Sequence, residues 1–304
     1  MRSSNTIKKR SFRWELPFHL MLIPGVLVTL IYAYGPMFGI VMAFQKFDPV
    51  LSFWKSKFVG WKNFRYIFHL PEFNQVMWNT VVISVLKIGF GLLVPLVLAI
   101  LLNELTKNWF KRIVQTSIFL PFFLSWTVLG GVLLELFMLK GPVNGLLSAF
   151  GIEPIMFMGD GSWFRAIIVG SDVWKGMGYN MIIFLAAIVG INANLYEAAE
   201  VDGAGKWKQL IHITLPGMMP IIILLTTLSL GNILNAGFDQ ILILYNPIVY
   251  EQGDVIDTFV YRLGIFSQQY APAAAIGLFK SAISLGLVGI SYFLAYRFSN
   301  YRIF

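Results

Sequence analysis

Long apolar runs alternate with short polar stretches over almost the whole chain. A helix needs about 20 residues to cross the hydrocarbon of a bilayer. By that measure, spans are predicted at roughly 17–44, 76–102, 113–138, 164–191, 218–244 and 273–298. The expectation is an all-α membrane protein with six transmembrane helices. A polar tail would occupy 1–16 and one membrane domain 17–304, with no second domain and no internal repeat. The tail is basic, carrying Arg2, Lys8, Lys9, Arg10 and Arg13. A signal peptide would also start basic, but the apolar run that follows is too long for a cleaved segment and lacks a small-x-small cleavage site. Six crossings place both termini on one side, which the tail's charge marks as cytoplasmic.

The longest polar interruption in the carboxyl-terminal half is Glu197–Pro216, EAAEVDGAGKWKQLIHITLP. Residues from about Ala193 to Asp202 favour helix, and Gly203 supplies the backbone freedom for a turn. A second helical piece is predicted over Lys206 to Ile213, with Pro216 suited to the first turn of the next span. Ala198, Ala199 and Ala204 offer a small-residue surface that another protein could approach closely, and Glu197, Glu200 and Asp202 supply charges to fix its register. Glu197, Ala198, Ala199, then Gly203, then Ile213, Leu215 and Pro216 reproduce a spacing: EAA, three residues, Gly, nine residues, Ile-x-Leu-Pro. That spacing resembles the cytoplasmic coupling loop in membrane subunits of bacterial ATP-binding-cassette importers; the plainer reading is an ordinary amphipathic loop.

A second stretch supports the resemblance. Phe58–Phe68, FVGWKNFRYIF, mixes aromatics and cations as a helix lying at a membrane interface does. It is also similar to the external F-x-G-x-x-N-F element before the second helix of sugar-importing members. Asn79-Thr80, Gly141–Gly151 and the run from Trp174 to Asn180 look familial too. The likeness covers most of the chain from about Phe58 and points to permeases of oligosaccharide importers of the polysaccharide type. It implies a type I importer permease fold with the coupling helix-turn-helix at 193–217, seated in a groove of an ATPase subunit. It further implies a bacterial cytoplasmic-membrane subunit that is not an enzyme and binds no cofactor, ATP and Mg belonging to the partner ATPase. The implied partners are two ATPase subunits, a second and distinct permease chain, an extracytoplasmic binding protein and the oligosaccharide.

Composition agrees. At 57% hydrophobic and 12% charged, the chain is too apolar for an ordinary soluble domain. It has no cysteine, and His19, His69 and His212 are scattered without metal-ligand spacing. The net charge of +8 could suggest nucleic acid, but much of the excess lies in short flanking segments, so no nucleic-acid partner is expected. Lys107, Lys111, Arg112, Lys206, Lys208, Arg297 and Arg302 follow the positive-inside trend, whereas Lys46, Lys55, Lys57, Lys62 and Arg65 in the first external loop run against it. No GxxxxGK[ST] run, HExxH or GxSxG occurs.

Polar residues inside the spans are the remaining clue, because charge in a bilayer is expensive. Thr80, Ser84, Lys87 and Gly91 share a face of the second helix; Asp172, Lys175 and Tyr179, with Asn180 beside them, share one of the fourth. Asn232, Asn235 and Asp239 are expected as a stripe on the fifth, and Gly277, Lys280 and Ser284 on the sixth. Lys87 and Lys175 lie on the order of 16 Å from the outer ends of their predicted helices, too deep to snorkel outward. The candidate path is therefore Lys87, Trp126, Asp172, Lys175, Tyr179, Asn232, Asn235, Asp239 and Lys280. Pairing is the alternative: Asp172 with Lys175 in one helix, and Asp239 with a lysine on a neighbour. Ser84, Gly91, Gly277 and Ser284 also fit helix packing, and the aromatics fit lipid contact as well as sugar stacking. Three intramembrane cations facing fewer acids favour an acidic, uronic-acid-containing oligosaccharide. A neutral sugar or other small solute stays open, as does an ion-coupled secondary transporter, which would show inverted repeats. A membrane scaffold would need no polar face on four spans.

Overall fold

The computed structural model describes residues 12–299. The basic segment through Arg10, the side chains of Arg13 and Arg297, and the terminal Arg302 lie outside the described residues. Six described helices are long and apolar enough to cross a membrane: Leu16–Phe44, Pro71–Asn103, Trp126–Ala149, Gly161–Val189, Lys206–Gly231 and Tyr270–Phe293. The first helix begins at Phe12, inside the stretch expected to be tail. The apolar window of the first span holds no buried residue; its Met21 and Phe38 stand bare, as side chains that face lipid do.

Two spans expected as single helices are broken. In place of one helix over 113–138, Asn108–Phe119 gives way to a 3-10 turn at Leu120–Phe123, and a new helix runs Trp126–Phe137. Pro121 cannot donate to the helical ladder, and the Ser125 hydroxyl caps the restart by accepting from the Val128 amide. The fifth span likewise stops at Gly231 and resumes as Phe238–Leu244, with Gly237 at φ +96° in the left-handed region. Asn232, Asn235 and Asp239 therefore do not form a helical stripe: the first two lie in the break and the third lies in the first turn of the short helix.

The second and fourth spans pack against each other along much of their length, and the fifth lies against the sixth. Phe164, Phe184, Met181, Ile83, Ile241 and Met218 are fully enclosed in the resulting interior. Gly178 permits a close crossing: a Cβ there would stand 2.5 Å from the Ile118 carbonyl oxygen. At the end opposite the Glu197–Pro216 loop, two short antiparallel strands pair Gln45 with Phe58 and Lys46 with Lys57. The next residues explain the F-x-G-x-x-N-F pattern. Gly60 takes φ +58°, the Asn63 side-chain amide donates to the Ala43 and Gln45 carbonyls at 2.9 Å, and Phe64 packs on the Phe44 ring. On the same end, Asn79 donates to the Glu251 and Asp254 carbonyls and accepts from Arg165, while the Thr80 hydroxyl accepts the Ile256 amide. These contacts fix the loop that leads into the sixth span.

Candidate functional site

Lys87 is the midpoint of the helix Pro71–Asn103, and Lys175 is the midpoint of Gly161–Val189. Each ammonium serves a helix break. Lys87 donates to the Ala236 carbonyl at 2.7 Å in the broken fifth span, and Lys175 donates to the Phe122 carbonyl at 3.0 Å in the broken third. Carbonyls freed from a helix at membrane depth must find such partners.

The two lysines differ in their other contacts. Lys87 is 8% exposed and pairs with Asp172 at 3.2 Å. It also donates to the Gln240 amide oxygen, whose amide nitrogen donates at 2.8 Å to the Ile168 carbonyl and the Ser171 hydroxyl. The alternative pairing of Asp172 with Lys175 inside one helix is therefore not formed; Asp172 reaches across to the second span instead. Lys175 lies 5.4 Å from the centre of the Phe122 ring and 5.6 Å from that of Trp126, and the Tyr179 ring stacks on Phe122 at 5.1 Å. Lys280 pairs with Asp257 at 2.5 Å and donates to Asn235 at 2.7 Å. Asp239 is exposed and has no ion pair among the described residues, so the alternative pairing with a lysine of a neighbouring span is not formed.

A cavity of about 330 Å³ opens between the second, fourth and fifth spans. Of the expected path residues, Lys87, Asp172, Asn232 and Asn235 line it, together with Asn180 and Ser84. Lys280 donates to Asn235, whereas Trp126 of the third span gathers with Lys175 and Tyr179 of the fourth outside the cavity lining. Asp239 lies outside the cavity lining. Gln240, 1% exposed, is a member of the network that the sequence reading missed; its one signal is a lone amide in the apolar run that ends the fifth span.

The polar loop folds as expected. Ala193–Val201 is helical, Gly203 sits at φ +72°, and Lys206–Gln209 starts a second helix that continues through Ile213 and Leu215 into the fifth span. Pro216 occupies its first turn, where a missing amide hydrogen is harmless. The turn is held from within: the Ala204 amide donates to the Ala199 carbonyl, the Gln209 side chain to the Ala204 carbonyl, and the Tyr196 and Thr214 hydroxyls meet at 2.9 Å. Glu197, Ala198, Asp202 and Gly203 remain exposed, and Val201 and Trp207 are bare apolar side chains beside them.

At the opposite end, the buried Asp254 carboxylate accepts from Arg262 at 2.5 Å and from the Thr258 hydroxyl at 2.6 Å. Burial pushes its carboxyl above the ordinary carboxylate value, while those two hydrogen bonds pull it back.

Six spans long and apolar enough to cross a membrane, a polar cavity between three of them and an exposed helical turn at one end define a membrane-embedded transport subunit. Residues 91–300 match the binding-protein-dependent transport system inner membrane components, and the chain belongs to that family. Protein LplB of Bacillus subtilis (strain 168) is 39% identical, the alignment covering 94% of this chain and 90% of LplB. The polygalacturonan/rhamnogalacturonan transport system permease protein YteP of the same organism is 38% identical over 94% of this chain and 89% of its own length. A chain in the crystal structure of a bacterial ABC transporter involved in import of the acidic polysaccharide alginate superposes with a TM-score of 0.87 at 36% identity, covering 94% of this chain and 97% of that one.

Proposed function

We propose that this chain is the permease subunit of an ATP-driven importer for acidic oligosaccharides, delivered by an extracytoplasmic binding protein. The observation that carries the reading is the polar cavity at the midpoints of the second and fourth spans, in a chain whose relatives include transporters of polygalacturonan and alginate. Such a cavity gives a polar solute hydrogen-bonding partners inside the hydrocarbon. Lys87, Asp172, Asn232 and Asn235 line the path, and Lys280 donates to Asn235.

The exposed turn at Glu197–Gly203 is the coupling site. Its small Ala198 surface admits close approach by a separate ATPase subunit, Glu197 and Asp202 fix the register, and Ile213, Leu215 and Pro216 carry the movement directly into the fifth span. ATP and Mg reside on two such ATPase subunits. A second permease chain completes the path, and nucleotide-driven closure shifts the population between outward- and inward-open states. The coupling loop and both termini face the cytoplasm, which places the clamped loop at 245–269 outside, toward the binding protein.

The test is reconstitution of the full complex with its ATPases and binding protein, followed by measurement of oligogalacturonate uptake and ATP hydrolysis. Gly203→Pro, forced out of φ +72°, and Glu197→Lys are expected to leave the chain inserted while abolishing uptake and ligand-stimulated hydrolysis. Normal values in both variants would overturn the coupling assignment, and uptake without the ATPase subunits would overturn the importer reading.

A further inference from the structure

The three intramembrane lysines are not equivalent in their electrostatic surroundings. Lys87 is sealed in, with the Asp172 carboxylate, a backbone carbonyl and the Gln240 amide oxygen around its ammonium. Lys280 is held by the Asp257 carboxylate at 2.5 Å and by Asn235. Their charges are answered inside the chain, so neither has a free positive charge to offer a solute.

Lys175 is different. Among the described residues no carboxylate lies within ion-pair distance of it. Its partners are one neutral carbonyl and the faces of two aromatic rings. Those partners can hold an ammonium, but they bring no negative charge. A cation at the midpoint of a membrane span without an anion is a functional candidate by default, since charge there is costly and otherwise paired. Its surroundings also suit a sugar. Tyr179 is about half exposed, it stacks on Phe122, and the Trp126 ring centre lies 5.6 Å from the ammonium. Flat aromatic faces beside a cation match the apolar face of a pyranose ring and a carboxylate carried on that ring.

We propose that the path continues from the cavity along the fourth helix, whose Asp172 and Gly176 line it beside Lys175, and that Lys175, flanked by Trp126 and Tyr179, is the subsite that reads the carboxylate of a uronic-acid residue as the oligosaccharide passes the middle of the membrane. This rests on the transport reading above and goes beyond it by assigning acid recognition to one residue. In the unloaded state the ammonium is parked on the Phe122 carbonyl. An arriving carboxylate exchanges with that carbonyl and supplies the missing anion. Lys87 and Lys280 hold the walls of the path in place and do not discriminate acid from neutral sugar.

The test compares uptake of trigalacturonate with that of its methyl ester, which removes the charge and keeps the sugar. The whole complex is reconstituted with saturating binding protein loaded with either ligand, in wild type, Lys175→Met and Lys175→Arg. A lost charge-assisted hydrogen bond corresponds to about tenfold or more. Lys175→Met is therefore expected to lower trigalacturonate uptake about tenfold or more, to leave methyl-ester uptake within about twofold, and to be rescued by Lys175→Arg. If Lys175→Met lowers uptake of both ligands equally, Lys175 only props the helix break and the proposal fails. If it lowers neither, the proposal also fails. Wild-type complex that transports neither ligand would overturn the oligosaccharide reading itself, a result separable from a failure of Lys175 alone.

Discussion

Replacing Asp172 by Asn leaves the Lys87 ammonium buried without its anion. Removing one partner of a buried pair typically costs about 3–5 kcal/mol, because the other charge stays desolvated. Two features of this site reduce that figure. Asp172 is 35% exposed toward the cavity, so water screens the pair. Lys87 also keeps the Ala236 carbonyl and Gln240 as acceptors. The expected loss for Asp172→Asn is therefore about 1–3 kcal/mol. Lys87→Met preserves the side chain's length but strands the Ala236 carbonyl and the Gln240 amide oxygen, and is expected to be of similar size. In the double variant no charge remains to be desolvated. Its destabilisation should fall short of the sum of the singles by at least about 1 kcal/mol. The assay is equilibrium denaturation of the purified complex in mixed micelles, read as a double-mutant cycle. Strict additivity, or an Asp172→Asn variant as stable as wild type, would refute the coupling assigned to this pair.

Gly178→Ala would put a Cβ 2.5 Å from the Ile118 carbonyl oxygen and 2.6 Å from the Phe119 Cα. Backbone on both sides leaves nothing flexible to yield, so a loss of about 1–3 kcal/mol or more is expected; a variant of undiminished thermal stability would show the crossing to be looser. Asp254 titrates above the ordinary 3.8, raised mainly by burial. The folded state thus holds this proton more tightly than the unfolded one, and the group's contribution to stability is full below 3.8 and lost as pH rises through the folded value. Arg262 opposes the rise, together with Thr258. In Arg262→Gln the window should extend toward neutrality, making stability fall more steeply with rising pH than in wild type; denaturation series at several pH values showing equal slopes would refute this.

What the sequence determined follows from properties that are local along the chain. The length of an apolar run decides whether a helix can span hydrocarbon, and six such helices are found. Gly203 and Pro216 carry their backbone preferences wherever they are placed, so the turn and the helix start after it were readable before any packing was known. The presence of Lys87, Lys175 and Lys280 in spans was equally plain. Partnership was not, because helical periodicity relates residues three and four apart on one helix and says nothing about which neighbour each face meets. By spacing alone Asp172 could pair with Lys175, three residues on, or share a path face with it; packing of the second span against the fourth gave it to Lys87 instead. The breaks at Leu120–Ser125 and Asn232–Gly237 were hidden inside continuous apolar runs, since hydropathy measures how greasy a segment is and not whether its ladder of hydrogen bonds is unbroken. A break is tolerable at that depth only where another helix supplies a donor to the freed carbonyls. Lys87 and Lys175 supply those donors from other spans, and only the tertiary structure could decide it.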